Sequence, residues 1–191
     1  MKPVPPLVAA AEMRAAEHDF GHSCQQGVGE LLSFLATTTP PSGRILELGT
    51  GFGVGLAWIL TGLGSRIDVE VVTIERDAER VASLAEADLP SHASIVEGDI
   101  EALLPTLGQF DLIFADAEAG KWTGLELTIS ALAPRALLLV DDMDNSHYGS
   151  SHDRSTVEAV RKALMTDPRL TAVELNASSG MILASRRAEE L

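Results

Sequence analysis

The sequence predicts an α/β protein: one doubly wound domain whose seven-stranded, mostly parallel sheet ends on an antiparallel last strand, with two extra N-terminal helices. Three observations lead there. From residue 44 onward, short β-branched runs alternate with segments of helical period. The strand runs are continuously rather than alternately apolar over most of their length, the pattern of strands covered on both faces. The chain has 191 residues, the length of one domain with its own core.

Each element has its own local reason. Pro5-Pro6 opens a first helix reaching about Phe20, since proline is accepted in a first turn. A second helix, 26–36, sets Val28, Leu31, Leu32 and Leu35 on one face. The run Thr37 to Gly43, with Pro40-Pro41 inside it, separates a helical cap, 1–42, from the body, 43–191. The body then reads as strand 44–48, helix 54–63 stopped by glycines, strand 68–74, and helix 77–87 capped by Asp77. Strand 93–96 follows, then a helical turn 100–104 stopped by Pro105, strand 110–115, helix 125–132 and strand 136–140. Helix 155–165 stops at Asp167-Pro168, and strands 170–175 and 181–185 are joined closely enough to be antiparallel.

Charge and cysteine usage narrow the partners. Lysine and arginine number 14 against 28 aspartates and glutamates, a formal net charge of −14. A field of that sign repels phosphate backbones and anionic lipid, so neither nucleic acid nor membrane is the expected partner. No apolar run reaches about 18 residues, and Glu12, Arg14, Glu17 and Asp19 interrupt the N-terminal region, so no secretory segment is expected. The single cysteine, Cys24, permits no internal disulfide, which fits a reducing, cytoplasmic home.

Ligands of open parallel sheets bind beyond the carboxyl ends of the strands. Glu47, Glu75, Asp99, Asp116, Asp141 and Asp142 all fall at such ends. Residues 45–55 read ILELGTGFGVG, a strand running into Gly49, Gly51, Gly53 and Gly55 and then a helix. Glycines permit the tight turn, and the helix start offers N–H groups to an anionic group. The dinucleotide fingerprint G-x-G-x-x-G fails, because Val54 stands at its third glycine. A phosphate-binding P-loop fails for want of Gly-Lys-Ser/Thr.

Glu47 with this loop gives E-x-G-x-G-x-G, which resembles motif I of the class I S-adenosylmethionine-dependent methyltransferases, enzymes of Rossmann-like fold. Glu75 in VVTIERD, Asp99 in VEGDI and FDLIFAD (110–116) match further motifs of that family in order, over residues 25–185. The resemblance implies S-adenosylmethionine as cofactor. It implies that Glu75 takes the ribose hydroxyls, with Arg76 beside it. Asp99, with Ile100, would meet the adenine. Glu47 would hold the ammonium of the methionyl end, and Gly49, Thr50, Gly51, Gly53 and Gly55 its carboxylate, with Asp116 completing the wall. A carboxylate accepts from two vicinal hydroxyls, and an acidic wall suits a sulfonium.

Within that family the chain is most similar to the small catechol- and caffeoyl-CoA-type O-methyltransferases, which implies O-methylation of a small molecule and a homodimer. Their metal ligands fall on Asp116, Asp141 and Asp142, implying Mg²⁺, or Mn²⁺ or Ca²⁺, as oxygen ligands favour. The third ligand in that group is Asn; here it is Asp142. Their lysine, assigned as general base, aligns with Ala119, and Lys121 follows two residues on. Asp116 and Lys121 are therefore catalytic candidates, and His147 is a third, because the polar segment 144–153 follows strand 136–140 and can overhang the site with a histidine as base. Plain readings stand beside these: Lys121 as a solvated loop lysine, Asp142 or Asp144 as a turn cap, His147 and His152 as surface residues, Trp122 and Cys24 as core. Two rival functions share the site: aminopropyl transfer, with the acids binding amines, and a catalytically silent S-adenosylmethionine-binding protein. The box Asp/Asn-Pro-Pro-Tyr/Phe of base-amine methyltransferases is replaced by Asp116-Ala117-Glu118-Ala119, against a nucleic-acid substrate.

Overall fold

Strand β1 (Arg44–Leu48) lies mid-sheet in the computed structural model, which describes residues 3–188. β2 (Glu70–Glu75) and β4 (Phe110–Ala115) flank it in parallel. β3 (Ala93–Glu97) and β5 (Leu132–Val140) extend the parallel part, and β7 (Met181–Arg186) pairs antiparallel with both β5 and β6 (Leu170–Leu175). The order is β3-β2-β1-β4-β5-β7-β6, so the chain reverses direction across the sheet between β1 and β4. A crevice at that reversal is where such sheets take ligands.

Helices cover both faces. α1 (Pro6–Glu17), α2 (Gln26–Thr37) and α3 (Val54–Leu63) lie on one side, where Val8, Val28, Leu32 and Ile59 pack with Ile45, Val71 and Phe114. α5 (Ile100–Leu107), α6 (Leu125–Ser130) and α7 (Ser151–Thr166) cover the other, where Leu104, Ile129 and Val157 meet Leu46, Ile74 and Ile113. α4 (Ala78–Ala85) follows β2, with the Asp77 carboxylate accepting from the N–H groups of Glu79 and Arg80.

Several boundaries differ from the sequence expectation, each for a local reason. β2 starts at Glu70, not 68, because the Asp68 carboxylate closes the preceding turn on the Ser42 N–H at 3.1 Å and on Arg66 at 2.8 Å. α5 continues two residues past Pro105; proline removes one N–H, and the helix ends only at Gly108 (φ 78°). α6 stops at Ser130, since Leu132 already pairs with Phe110 in a β5 that is irregular around Arg135 (φ 68°). α7 begins at Ser151, four residues early, because the Ser150 hydroxyl caps it by accepting from the Asp153 N–H at 3.0 Å.

α2 and α3 touch through glycines. A Cβ on Gly29 would lie 2.1–2.4 Å from the Trp58 indole, and one on Gly62 only 2.1 Å from the Ser33 carbonyl oxygen. Backbone cannot yield as a side-chain tip can. We expect Gly62→Ala to lower unfolding free energy by about 1–3 kcal/mol in urea titration, the usual cost of overpacking. Gly149→Ala, whose added methyl meets nothing within 4 Å, should stay within about 0.5 kcal/mol of wild type.

Candidate functional site

Strand period decides which side chains meet. Ile45, Val71, Phe114 and Leu139 all point to the α1–α3 side. Successive residues alternate faces, so two and four residues on, that side receives Glu47 on β1, Thr73 and Glu75 on β2, Asp116 after β4, and Asp141 after β5. The pairing persists past the named strands: the Asp116 N–H donates to Leu48 O at 3.1 Å and the Asp141 N–H to Ala115 O at 3.2 Å. One edge of one face thus collects these acids, and Glu47, Glu75 and Asp116 line a cleft of about 560 Å³ there.

Glu47 is the deepest of them, 1% exposed. It accepts from the Thr73 hydroxyl at 2.6 Å, its register partner on β2, and from the Leu56 N–H in the first turn of α3. Thr50 of the glycine loop joins the chain through Thr73, the hydroxyl oxygens 2.5 Å apart. Burial pushes the Glu47 carboxyl up to about 8, with the Thr73 hydrogen bond opposing and Glu75 adding to the rise. Gly55 makes this possible, because a Cβ there would sit 2.1 Å from Glu47 Oε1.

Glu75 is bound three times by backbone. Its Oε2 accepts from the Gly51 N–H at 2.9 Å, and its Oε1 from the Arg76 and Asp77 N–H groups at 3.0 Å each. Three more loop N–H groups are committed: Gly49 and Thr50 donate to Ile74 O, and Gly53 to Thr50 O. A helix leaves its first N–H groups without intrahelical partners. Val54 and Gly55, both in the cleft wall, are such donors, and Phe52 of the loop lines the cleft beside them.

Asp116, Asp141 and Asp142 each offer an oxygen within 4.8 Å of the other two. Asp116 is held well above the ordinary carboxylate range by burial first and by Asp141 next, while Lys121 pulls it down. Asp141 is raised by burial; the Ser179 hydroxyl and the Asp142 N–H both donate to its Oδ1 and oppose the rise. Asp142 takes φ 60°, a left-handed conformation that Asn and Asp tolerate best, so either residue type suits this position. Lys121 is no solvated loop lysine: it is 2% exposed, and its Nζ donates to Asp141 O and to Asp142 Oδ2, each at 3.2 Å. Oxygens at these separations suit one hard cation ligated at about 2.0–2.6 Å, with Lys121 as the counter-charge already present.

The remaining expected residues divide. Gly49, Thr50, Gly51, Gly55, Glu75, Arg76, Asp116, Lys121, Asp142 and His147 line the cleft with Glu47, and Asp141 lines a smaller cavity of about 170 Å³ beside it. Gly53 faces Leu84 and Arg14 instead. Asp99 is exposed and caps α5, accepting from the Ala102 N–H at 2.9 Å; neither it nor Ile100 is in the cleft wall. His147 stands exposed at the rim, its Nε2 3.7 Å from Asp144, which caps the short 3-10 turn Asn145–His147. Trp122 packs on the core and also faces the cleft, its ring 5.4 Å from that of Tyr148. Cys24 is buried in the cleft wall, its thiol pushed up by burial and then by Asp116 and Glu47. Phe20, Ser23, Phe52 and Arg80 also line the cleft and were not foreseen. Phe52 lay in plain view inside the glycine loop; Phe20, Ser23 and Arg80 carry no motif.

Comparison with known proteins agrees with this geometry. A methyltransferase-domain family model matches residues 46–143. A protein of Mycolicibacterium smegmatis, named as a candidate O-methyltransferase, is 31% identical, the match covering 94% of this chain and 90% of that protein. One of Mycobacteroides abscessus, similarly named, is also 31% identical over 94% and 88% of the two chains. The crystal structure of a candidate O-methyltransferase from Klebsiella pneumoniae superposes with a TM-score of 0.83 at 25% identity, covering 98% of this chain and 93% of that one. The O-methyltransferase TomG of Streptomyces achromogenes, solved in complex with S-adenosylmethionine, shares the fold at TM-score 0.80 and 23% identity, over 97% of this chain and 92% of that one. With the glycine loop, the acids at the strand ends and these relatives in agreement, the chain belongs to the class I S-adenosylmethionine-dependent methyltransferase family, on its O-methyltransferase branch.

Proposed function

We propose that this chain moves the methyl group of S-adenosylmethionine to a hydroxyl of a small molecule, with a divalent cation held by Asp116, Asp141 and Asp142. The observation that carries this is the convergence of Glu47, Glu75 and Asp116 on one sheet edge beside the glycine loop. The methyltransferase-domain match supports methyl transfer over aminopropyl transfer. Turnover of a hydroxylated acceptor to its methyl ether, followed by mass spectrometry, tests the activity and separates it from silent binding.

The residues divide the work. Glu47 takes the ammonium of the methionyl end, and Val54 and Gly55 direct N–H groups at its carboxylate, at the positive end of α3. Glu75, bound by three backbone donors, accepts from the ribose hydroxyls, with Arg76 beside it; Asp99 and Ile100, outside the cleft wall, would reach the adenine only from its edge. S-Adenosylmethionine supplies an electrophilic methyl on a sulfonium, and transfer is an in-line displacement governed mainly by positioning. A cation at the three aspartates would lower the acceptor's pKa. Asp116 would orient the acceptor through the cation, with Lys121 beside it, and His147 at the rim is the group that would carry the acceptor's proton out to solvent.

Glu47 makes binding pH-dependent. With its pKa at about 8 in the free protein it is mostly protonated at pH 7, and an ammonium beside it favours the charged form. Binding of S-adenosylhomocysteine at pH 7 should therefore release roughly one proton, measured by calorimetry in buffers of different ionisation enthalpy. Affinity should rise with pH and level off above about 8, and Glu47→Gln should abolish both effects. In the free protein the sign is opposite. A raised carboxyl stabilises the fold fully below its unfolded value of 4.5, and that contribution is lost as pH rises through about 8.

The cation is tested by chelation. Activity should fall in excess chelator and return with Mg²⁺ or Mn²⁺, and Asp141→Asn should weaken Mn²⁺ binding on the order of 10–100-fold by electron spin resonance. Full activity in chelator would leave the aspartates as substrate contacts.

We also propose a cytoplasmic homodimer. No helix among the described residues is long and apolar enough to cross a membrane, and Cys24 is free. Leu7, Met13, Phe34 and Ile67 are exposed and offer apolar surface to a second copy. Light scattering at micromolar concentration should give twice the chain mass; a monomer mass would remove the dimer and leave the site untouched.

A further inference from the structure

The loop between α1 and α2 lies over the glycine loop as an aromatic stack. The His18 ring stacks on Phe52 with centroids 4.5 Å apart. Phe20 meets Phe52 edge-on at 5.2 Å and His22 at 5.7 Å. Arg14 fixes Phe52 from the other side, its Nε and Nη2 donating to the Phe52 carbonyl at 3.0 and 2.8 Å. The Phe20 ring lies against Gly51, where even a Cβ would come within 3.1 Å. Gly51 in turn donates its N–H to Glu75.

Arg80 closes this circuit from α4. Its guanidinium carbon lies 4.8 Å from the Phe20 ring centroid, and its Nη1 lies 3.6 Å from Glu75 Oε1. It is partly exposed and stands in the cleft wall with Phe20 and Glu75. Phe20 and Arg80 are 60 residues apart in sequence, yet both press on the carboxylate assigned to the ribose, one through Gly51 and one directly.

We infer that Arg80 is a positioning residue for the cofactor: by holding the Phe20 ring and the Glu75 carboxylate in one arrangement, it couples closure of the 18–25 loop to occupancy of the ribose site. This rests on the placement of the ribose on Glu75 proposed above. A carboxylate has about four acceptor directions, and backbone donors occupy three on Glu75. Small rotations of that group therefore decide whether the last direction faces the cleft. A cation over an aromatic face, partly shielded from water, resists such rotation and keeps Phe20 down on the glycine loop. Opening the cleft on this side means lifting Phe20 off both Arg80 and Phe52. A cation serving only to decorate the surface of α4 has no need of the ring.

The test is the dissociation rate of S-adenosylhomocysteine from the full chain, followed by stopped-flow fluorescence of Trp122, which lines the same cleft. Arg80→Met should speed release about 3–10-fold, and Arg80→Lys, which keeps the charge over the ring, should stay within about 2-fold of wild type. Phe20→Leu should speed release as much as Arg80→Met, and the double variant no more than either alone, as for two residues acting as a unit. Hydrogen exchange of residues 18–25 should slow on ligand binding in wild type and respond less in Arg80→Met. An unchanged release rate in Arg80→Met, or strictly additive effects with Phe20→Leu, overturns the coupling. Glu75→Gln separates the two claims. If it weakens binding while Arg80→Met does nothing, the coupling alone is wrong; if a folded Glu75→Gln binds like wild type, the ribose placement falls and takes the coupling with it.

Discussion

The site depends on one constraint: a carboxylate buried under the start of a helix. Glu47 sits where the period of β1 would otherwise supply another core side chain, on the face that Ile45 and Phe114 fill. It is tolerated there because Thr73 and the Leu56 N–H satisfy it and because Gly55 leaves room. Taking the charge out of water is costly, and burial therefore raises its pKa and favours the protonated form. A cation brought to Glu47 offsets that cost. The same contacts hold the glycine loop and the first turn of α3 in place.

From there the geometry propagates along the sheet. Parallel pairing of β1 with β2 and β4, and of β4 with β5, carries one register across four strands. Side-chain alternation then delivers Glu75, Asp116 and Asp141 to the same edge as Glu47. So many acids together repel, and their environments separate them. Glu75 is bound by backbone N–H groups, Glu47 by a hydroxyl chain, and the aspartates share Lys121 and Ser179. These separate environments suit a cofactor with a ribose diol, an ammonium and a sulfonium at different points along its length.

The fold was legible because its signals are local and repeated. Apolar β-branched runs, glycine stops and Asp77 as a helix cap each act within a few residues, and they agreed with one another. The places where boundaries moved were decided by partners distant in sequence: the Asp68 contact with Ser42, and Leu132 pairing with Phe110. The glycine loop and its acids were legible for the same reason, since a strand–turn–helix puts them in one continuous stretch.

The sequence by itself determined the class of fold, the family, and the strand ends at which charged groups gather, because strand period and loop chemistry are written in neighbouring residues. Only the tertiary structure decided the environment of each group. Lys121 has the sequence context of a surface loop, yet it is buried because Asp141 and Asp142, twenty residues on, fold around its amine. Asp99, placed by its motif near the cofactor, turns one oxygen to the α5 start. Phe20 and Arg80 meet only because α1, α2 and α4 converge on the glycine loop, and contact between residues so far apart is set by packing, which leaves no periodic mark in the chain.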